Sequence, residues 1–306
     1  MRAVTYDSFA SDNSRLKVGD VPDPKVGPGQ VLIEVRAAGV NPVDWKVMAG
    51  GLDGMMDAMF PVIPGWDVAG VVRALGPDTP EFAVGDEVMS YARKDVIGHG
   101  TFAQYVAVAA DHVAPKPESL DWHQAGGLPL AGMTAQRALD RLKLREGDVL
   151  LIHAASGGVG GFAVQIGRDR GVRVIGTASE KNHDYLRELV AEPVAYGDGL
   201  AERVRELAPG GVTAVADFVG GQLDTTLAVL APGGRHVSIA DNTVNEHGGA
   251  WIWVRPNGAK LADLARLADR GALKVDVAGT FPLEETGTAF DASRSGHTRG
   301  KLIITP

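Results

Sequence analysis

The sequence predicts an α/β chain in two domains, a doubly wound parallel sheet and a separate domain of short β-strands. Three observations carry this reading. A glycine-rich loop joins an apolar strand to a helix between residues 149 and 170. Strands and helices then alternate to about residue 240, the pattern of βαβ units. Before about residue 120, short apolar runs are separated by Gly and Pro turns, and no long helical pattern occurs.

Arg2 to Tyr6 reads as the first strand. No charged segment followed by an apolar core precedes it, so no signal peptide is expected. Val31 to Arg36, Val68 to Leu75, Asp86 to Tyr91 and Thr101 to Val108 are the next strands. Gly27-Pro28-Gly29, Gly76-Pro77-Asp78 and Gly85-Asp86 separate them, and the set suits a small barrel or a sandwich. The character changes after Pro115-Lys116-Pro117, and Gln124 to Leu142 reads as one or two helices. Val149 to His153 is a continuous apolar strand, as burial on both faces of a parallel sheet requires. Then come a helix to Arg170, a strand at Val172 to Gly176 and a helix from about Lys181 to Val190. A strand at Val212 to Phe218, a helix at Gln222 to Leu230 and a strand at Arg235 to Ala240 complete the alternation. From Ala259 to Arg270, Leu261, Leu264, Ala265 and Ala268 share one helical face, and Gly271 stops the helix. Lys274 to Gly279 and Lys301 to Thr305 are strands flanking a helical Leu283 to Ser293. This tail resumes the style of the first third, so it is expected to return there. The expected division is 1–122 with 271–306 for the β domain, and 123–270 for the parallel-sheet domain.

The net charge of −8 argues against nucleic acid as a partner, which would call for a basic surface. No apolar run approaches the ~20 residues of a membrane span. The absence of cysteine leaves no disulfide and no thiolate metal site, and fits a reducing cytoplasm. His99, His112, His123 and His153 show no paired spacing, so no metal site is expected.

Ala154 to Gly161 sits between strand and helix, where glycines let the backbone approach a pyrophosphate and the helix N-terminus offers free N–H groups. Ser156, Gly157, Gly158, Val159 and Gly160 are therefore candidate cofactor residues. An NAD site normally has an acid at the end of the second strand, to hold the ribose 2′-hydroxyl. Here that strand ends Gly176-Thr177-Ala178-Ser179, followed by Glu180, an acid whose side chain can point outward, and by Lys181. Small hydroxyls leave room for a 2′-phosphate and lysine supplies charge, so Thr177, Ser179 and Lys181 point to NADPH.

Four spaced blocks resemble the zinc-independent quinone oxidoreductase and zeta-crystallin branch of the medium-chain dehydrogenase/reductase superfamily. They are Val31 to Asp44, Pro64 to Val72, the Ala154 to Gly160 loop, and Gly300 to Ile304. The resemblance spans essentially the whole chain. It implies a GroES-like β-barrel domain built from both termini and a Rossmann domain, with the active site in the cleft. Zinc alcohol dehydrogenases of this superfamily hold the metal through a Cys and a Gly-His-Glu segment, where this chain has Asn41 and Gly65-Trp66-Asp67.

The chemistry implied is NADPH-dependent reduction of quinones or α,β-unsaturated carbonyls by hydride transfer without zinc. Asn41, whose amide both donates and accepts, is the first candidate beside nicotinamide and substrate. The resemblance gives Asp44 a supporting role. Lys46 stands where many relatives have tyrosine, to orient the carbonyl or offer a proton; as a departure it leaves the proton donor open. Resemblance also brings Thr134 near the nicotinamide ribose, and Tyr196 beside the 2′-phosphate. Val219 and Ala240 are implied at strand ends on the ligand edge, Arg299 near the phosphate, and a homodimer through the sheet edge. Trp251 and Trp253 alternate on an expected edge or loop, where they suit a substrate mouth, a dimer interface or the core. Two alternatives remain open: an enoyl-thioester reductase, which would need a basic groove, and a non-catalytic NADPH-binding structural or sensor protein.

Overall fold

The computed structural model describes residues 1–306. They form two compact units, Met1–Leu130 with Arg255–Pro306, and Ala131–Val254. The first unit opens with an antiparallel ribbon, β1 (Arg2–Thr5) with β2 (Lys17–Asp20). Its spine is β3 (Gln30–Val40), followed by α1 (Pro42–Met48), β4 (Ala58–Ile63), β5 (Asp67–Leu75) and β6 (Glu87–Tyr91). Then come β7 (Ile97–His99), β8 (Tyr105–Ala109), β9 (Val113–Pro115), α2 (Trp122–Gly127) and the start of α3 (Pro129–Leu142). Along β3, Val31, Ile33 and Val35 are buried at a period of two, and from Ala37 to Val40 every residue is buried. The change of pattern has a cause in α2. A Cβ on Gly39 would stand 2.5 Å from the Gly126 carbonyl oxygen, so the second half of β3 is covered by a closely packed helix.

The second unit is one six-stranded sheet. Its elements are β10 (Val149–His153), α4 (Gly158–Asp169), β11 (Arg173–Ala178), α5 (His183–Glu188), β12 (Glu192–Ala195), α6 (Leu200–Leu207), β13 (Val212–Asp217), α7 (Leu223–Val229), β14 (Leu230–Ser238) and β15 (Ala250–Trp251). Every neighbouring pair is parallel, in the order β12-β11-β10-β13-β14-β15. This is the Rossmann order, and it reverses direction between β10 and β13. Leu151, Ile175, Val194, Val204 and Val215 form its core.

The chain then returns to the first unit through α8 (Gly258–Asp269), β16 (Val277–Pro282), α9 (Thr286–Arg294) and β17 (Lys301–Thr305). β17 lies antiparallel to Ala38–Val40 of β3 and parallel to β16. The resulting seven-stranded sheet runs β16-β17-β3-β5-β6-β9, with β8 on the other half of β3. Register shifts between β3 and β5 bend it. The units divide differently from the expected 122/123 and 270/271. Helix α8 belongs with the first unit because Gly258 abuts β9 there: a Cβ on Gly258 would stand 2.2 Å from the Val113 carbonyl oxygen.

Candidate active site

In the second unit the glycine loop leaves the sheet at its switch point, where α/β sheets hold ligands. Two bonds set the loop. Ala154 N–H donates to Thr177 Oγ1 at 3.0 Å, and Ala155 N–H donates to the Thr177 carbonyl at 2.9 Å. Thr177 is buried, and its hydroxyl holds the loop rather than standing free at the surface. Ala154 adopts a positive φ of 58°. Gly160 cannot be replaced without moving backbone, because a Cβ there would lie 2.2 Å from the Ala154 carbonyl oxygen. Gly157 caps α4 with extended geometry, and Gly158, Val159 and Gly160 form the helix's first turn. Their N–H groups are the unsatisfied donors of a helix start, a fitting seat for a diphosphate.

The rim beside the loop carries the other candidates. Asn182 Nδ2 donates to both Ser156 Oγ and Ser179 Oγ at 3.3 Å, joining the loop to the end of β11. Asn182 escaped the sequence reading, which weighed charge and hydroxyls there and passed over an amide in a polar run. Lys181 is exposed on the same turn. Tyr196, 60 % exposed, follows β12. Arg203 steadies that end by donating to the Ala195 carbonyl at 2.9 Å. At the next strand end, buried Asp217 accepts from the N–H groups of Val219 and Gly220, each at 2.9 Å, and from Ser238 Oγ at 2.9 Å. Ser238 Oγ accepts in turn from Ala240 N–H at 3.2 Å. Val219 and Ala240 are thus held on one polar frame. His153, at the end of β10, is pushed down to about 4 by burial, so it is neutral, and it hydrogen-bonds Thr226 at 3.3 Å. Thr134 is buried in α3.

In the first unit a buried polar cluster follows β3. Asn41 is the N-cap of α1, and its N–H donates to Asp44 Oδ2 at 2.7 Å. Its Nδ2 donates to Asp67 Oδ2 at 2.8 Å, and its Oδ1 accepts from Lys301 Nζ. Lys301 Nζ also donates to the Val40 carbonyl at 3.0 Å, and Leu130 N–H donates to Asp67 Oδ1 at 2.8 Å. All four polar side chains are buried. Burial raises Asp44 to about 8 and Asp67 to about 6, and burial lowers Lys301. Neither Asp67 nor Lys301 was among the sequence candidates. Their signal was a charge at the entry to an apolar strand, in Asp67-Val68-Ala69 and in Lys301-Leu302-Ile303. Lys46 lies on the exposed side of α1, its ammonium 5.5 Å from the Trp45 ring centroid. Arg299 is exposed before β17.

Residues 27–118 match the alcohol dehydrogenase GroES-like domain, and residues 189–304 match a family described as zinc-binding dehydrogenase. The chain is 31 % identical to the chloroplastic NADPH-dependent alkenal/one oxidoreductase of Arabidopsis thaliana, over all of this chain and 80 % of that one. It is 33 % identical to the quinone oxidoreductase of Coxiella burnetii, with a TM-score of 0.88 over all of this chain and 99 % of that one. The chain belongs to the quinone oxidoreductase branch of the medium-chain dehydrogenase/reductase superfamily. The chain is also 27 % identical to mycobacterial Rv1454c, solved in complex with NADPH, with a TM-score of 0.86 over the full length of both chains.

The name of the second family model raises the question of zinc. The residues present do not fit it. The chain has no cysteine, and no three His, Asp or Glu side chains converge as a ligand set. Asn41 and Asp67 are engaged with each other, and Asn41 with the Lys301 ammonium, so a cation already sits among them.

Proposed function

We propose that this chain is an NADPH-dependent oxidoreductase that reduces quinones or α,β-unsaturated carbonyls by hydride transfer, with no zinc in the reaction. The observation that carries the reading is the switch-point loop, whose Gly160 cannot bear a side chain, beside a β11 end that has hydroxyls and an amide where an NAD site has an acid. Bound there, the reduced dinucleotide supplies the hydride. The chain's own part is to seat the diphosphate on the N–H groups of Gly158 to Gly160, while the Gly157 N–H is held by the Ala154 carbonyl. Ser156, Ser179, Asn182 and Lys181 take the 2′-phosphate, with Tyr196 and Arg299 as further contacts. Thr134, Val219 and Ala240 are assigned to the nicotinamide half. Asn41 orients substrate only through the cluster that locks it. Asp44 belongs to the same wall, and exposed Lys46 serves the carbonyl less well than the sequence pattern implied.

The test is steady-state kinetics with quinones and enones. NADPH should be preferred, and Lys181→Ala should lower kcat/KM for NADPH roughly tenfold, the worth of about 1.4 kcal/mol, while leaving NADH unchanged. Equal use of NADH by the unaltered protein, with no effect of the substitution, would refute the phosphate site. Tight NADPH binding without turnover of any enone or quinone would leave a binding protein instead.

A second reading keeps the chemistry and changes the substrate. A cavity of about 390 Å³ in the first unit is lined by Arg93, Lys94, His112 and Arg255, with Asp95 as its one acid, 3.8 Å from Arg93. The excess of basic side chains suits the phosphate of the pantetheine group that carries an acyl thioester. Acyl thioesters turned over with a kcat/KM well above that of the free enones would favour it.

We further propose a cytoplasmic homodimer. No helix is long and apolar enough to cross a membrane. The two-residue strand β15 ends the sheet and presents Trp251, 37 % exposed and packed edge-on against Trp253. Trp251→Glu should convert a dimer to a monomer in sedimentation velocity; a native chain that sediments as a monomer removes the proposal.

A further inference from the structure

Tyr6 and Asp44 share an unusual property. Each is almost wholly buried, and each ends in an oxygen with no hydrogen-bond partner: the Tyr6 hydroxyl and Asp44 Oδ1. Native proteins rarely leave such atoms unpaired, since each costs about 1–3 kcal/mol. Both residues line the same cavity, together with Val47, residues 62–66, Ala92, Lys94 and residues 96–100. Its inner space, about 10 Å³, admits one atom the size of a water oxygen. Lys94 and His99 are also among its lining residues, and burial lowers Lys94.

We propose that this cavity is an oxyanion site, in which the Tyr6 hydroxyl and the protonated Asp44 carboxyl donate hydrogen bonds to the substrate's carbonyl oxygen. The inference rests on the reductase reading and names the group that takes up its charge. When hydride reaches the electrophilic carbon of an enone, a C–H bond forms there. The C=C electron pair moves through the conjugated system to the carbonyl oxygen, leaving an enolate. Donors fixed in advance at that oxygen lower the barrier because they need no reorganisation. The enolate is then protonated at carbon by water, which completes the reduction. Asp44 suits the donor role because burial first, and the Asp67 charge after it, push it up to about 8, against the pull of the Asn41 N–H and Lys301. At neutral pH it carries a proton, and Oδ2 is already occupied by Asn41 N–H, which leaves Oδ1 to donate. Burial also raises Tyr6 well above the ordinary phenol range, keeping its proton on. A phenol beside a neutral carboxylic acid is a known way to build an oxyanion hole; ketosteroid isomerase uses one.

The experiment uses the full chain without nucleotide, titrated with 4-nitrophenol and with phenols of graded acidity, since a bound phenolate mimics the enolate oxygen. Binding is read from the phenolate absorbance. Tyr6→Phe should weaken phenolate binding about tenfold or more, the effect of losing a hydrogen bond to a charged acceptor. It should also leave the melting temperature unchanged or raised, since an unpartnered hydroxyl is removed. Asp44→Asn keeps a donor at the same place, so it should retain binding and abolish the loss of affinity that the native chain shows above about pH 8. The ionisable groups around Asp44 are Tyr6, Asp67, Tyr91 and Lys301, with Lys94 and His99 among the cavity's other lining residues. A Tyr6→Phe variant that binds phenolate like the native chain, or one that melts well below it, overturns the proposal, as does a native chain that binds no phenolate. Tyr6-dependent phenolate binding in a protein that turns over no enone would instead retain the oxyanion site and reject the reductase reading.

Discussion

At the scale of single residues, the first unit concentrates its cost at one point. Asp44, Asp67, Asn41 and Lys301 are buried together, and each carboxyl is held above its ordinary value by burial. A carboxyl whose folded value is raised stabilises the folded chain below its unfolded value, near 3.9, and loses that contribution as pH climbs through the folded one. For Asp44 the window runs from about 4 to about 8, and for Asp67 from about 4 to about 6. Stability should therefore fall as pH rises through this range, by at most about 1.4 kcal/mol per pH unit for each group. In Asp44→Asn the part of the decline between about pH 6 and 8 should vanish. Denaturant midpoints of both chains at about pH 5, 6.5 and 8 check this, and parallel curves for the two would contradict it. The glycines, Asn41 and Asp44 were legible from the sequence because they sit in short patterned blocks. Asp67 and Lys301 were not, because their partners come from segments far apart in the chain, and Lys301 reaches Asn41 only when the tail pairs with β3; Tyr6 was not, because Asp44 and the rest of its cavity come from distant segments.

At the scale of elements, local pattern and tertiary demand agree where burial is complete. β10 is apolar throughout and was readable as a parallel strand. α8 has its buried face at i, i+3, i+4 and i+7 and was readable as a helix. β12 and α6 were not marked as elements. β12 is four residues long with Pro193 inside it, and α6 follows two positive-φ glycines and buries only Leu200 and Val204. The glycine loop is the element on which function turns, and its tightest point is Gly160. Gly160→Ala would push a methyl group into the Ala154 carbonyl and displace the first turn of α4. NADPH affinity, followed by nucleotide fluorescence, should fall at least tenfold, a loss of about 1.4 kcal/mol or more. Phenolate binding in the first unit should be untouched. Native NADPH affinity in this variant would mean that the diphosphate does not rest on the loop.

At the scale of the whole molecule, the chain threads from the first unit into the second and back, so the first unit is unfinished until the last residues are made. β17 is an interior strand, with β16 on one side and β3 on the other. Its Leu302, Ile303 and Ile304 are buried, and Lys301 supplies the cation of the polar cluster. Three such side chains are worth roughly 6 kcal/mol of burial, comparable to the whole stability of a typical domain. The sequence hinted at this return through the matching style of its two ends, and pairing between β3 and β17 is what makes it physical. Truncation after Gly300 should therefore unfold the first unit: circular dichroism should lose strand signal, and amides of β3 and β5 should exchange freely. Removing Pro306 alone, which is exposed and outside β17, should change neither. A chain ending at Gly300 that melts like the full-length protein would show that the sheet closes without its last strand, and the buried cluster would then need another source for its positive charge.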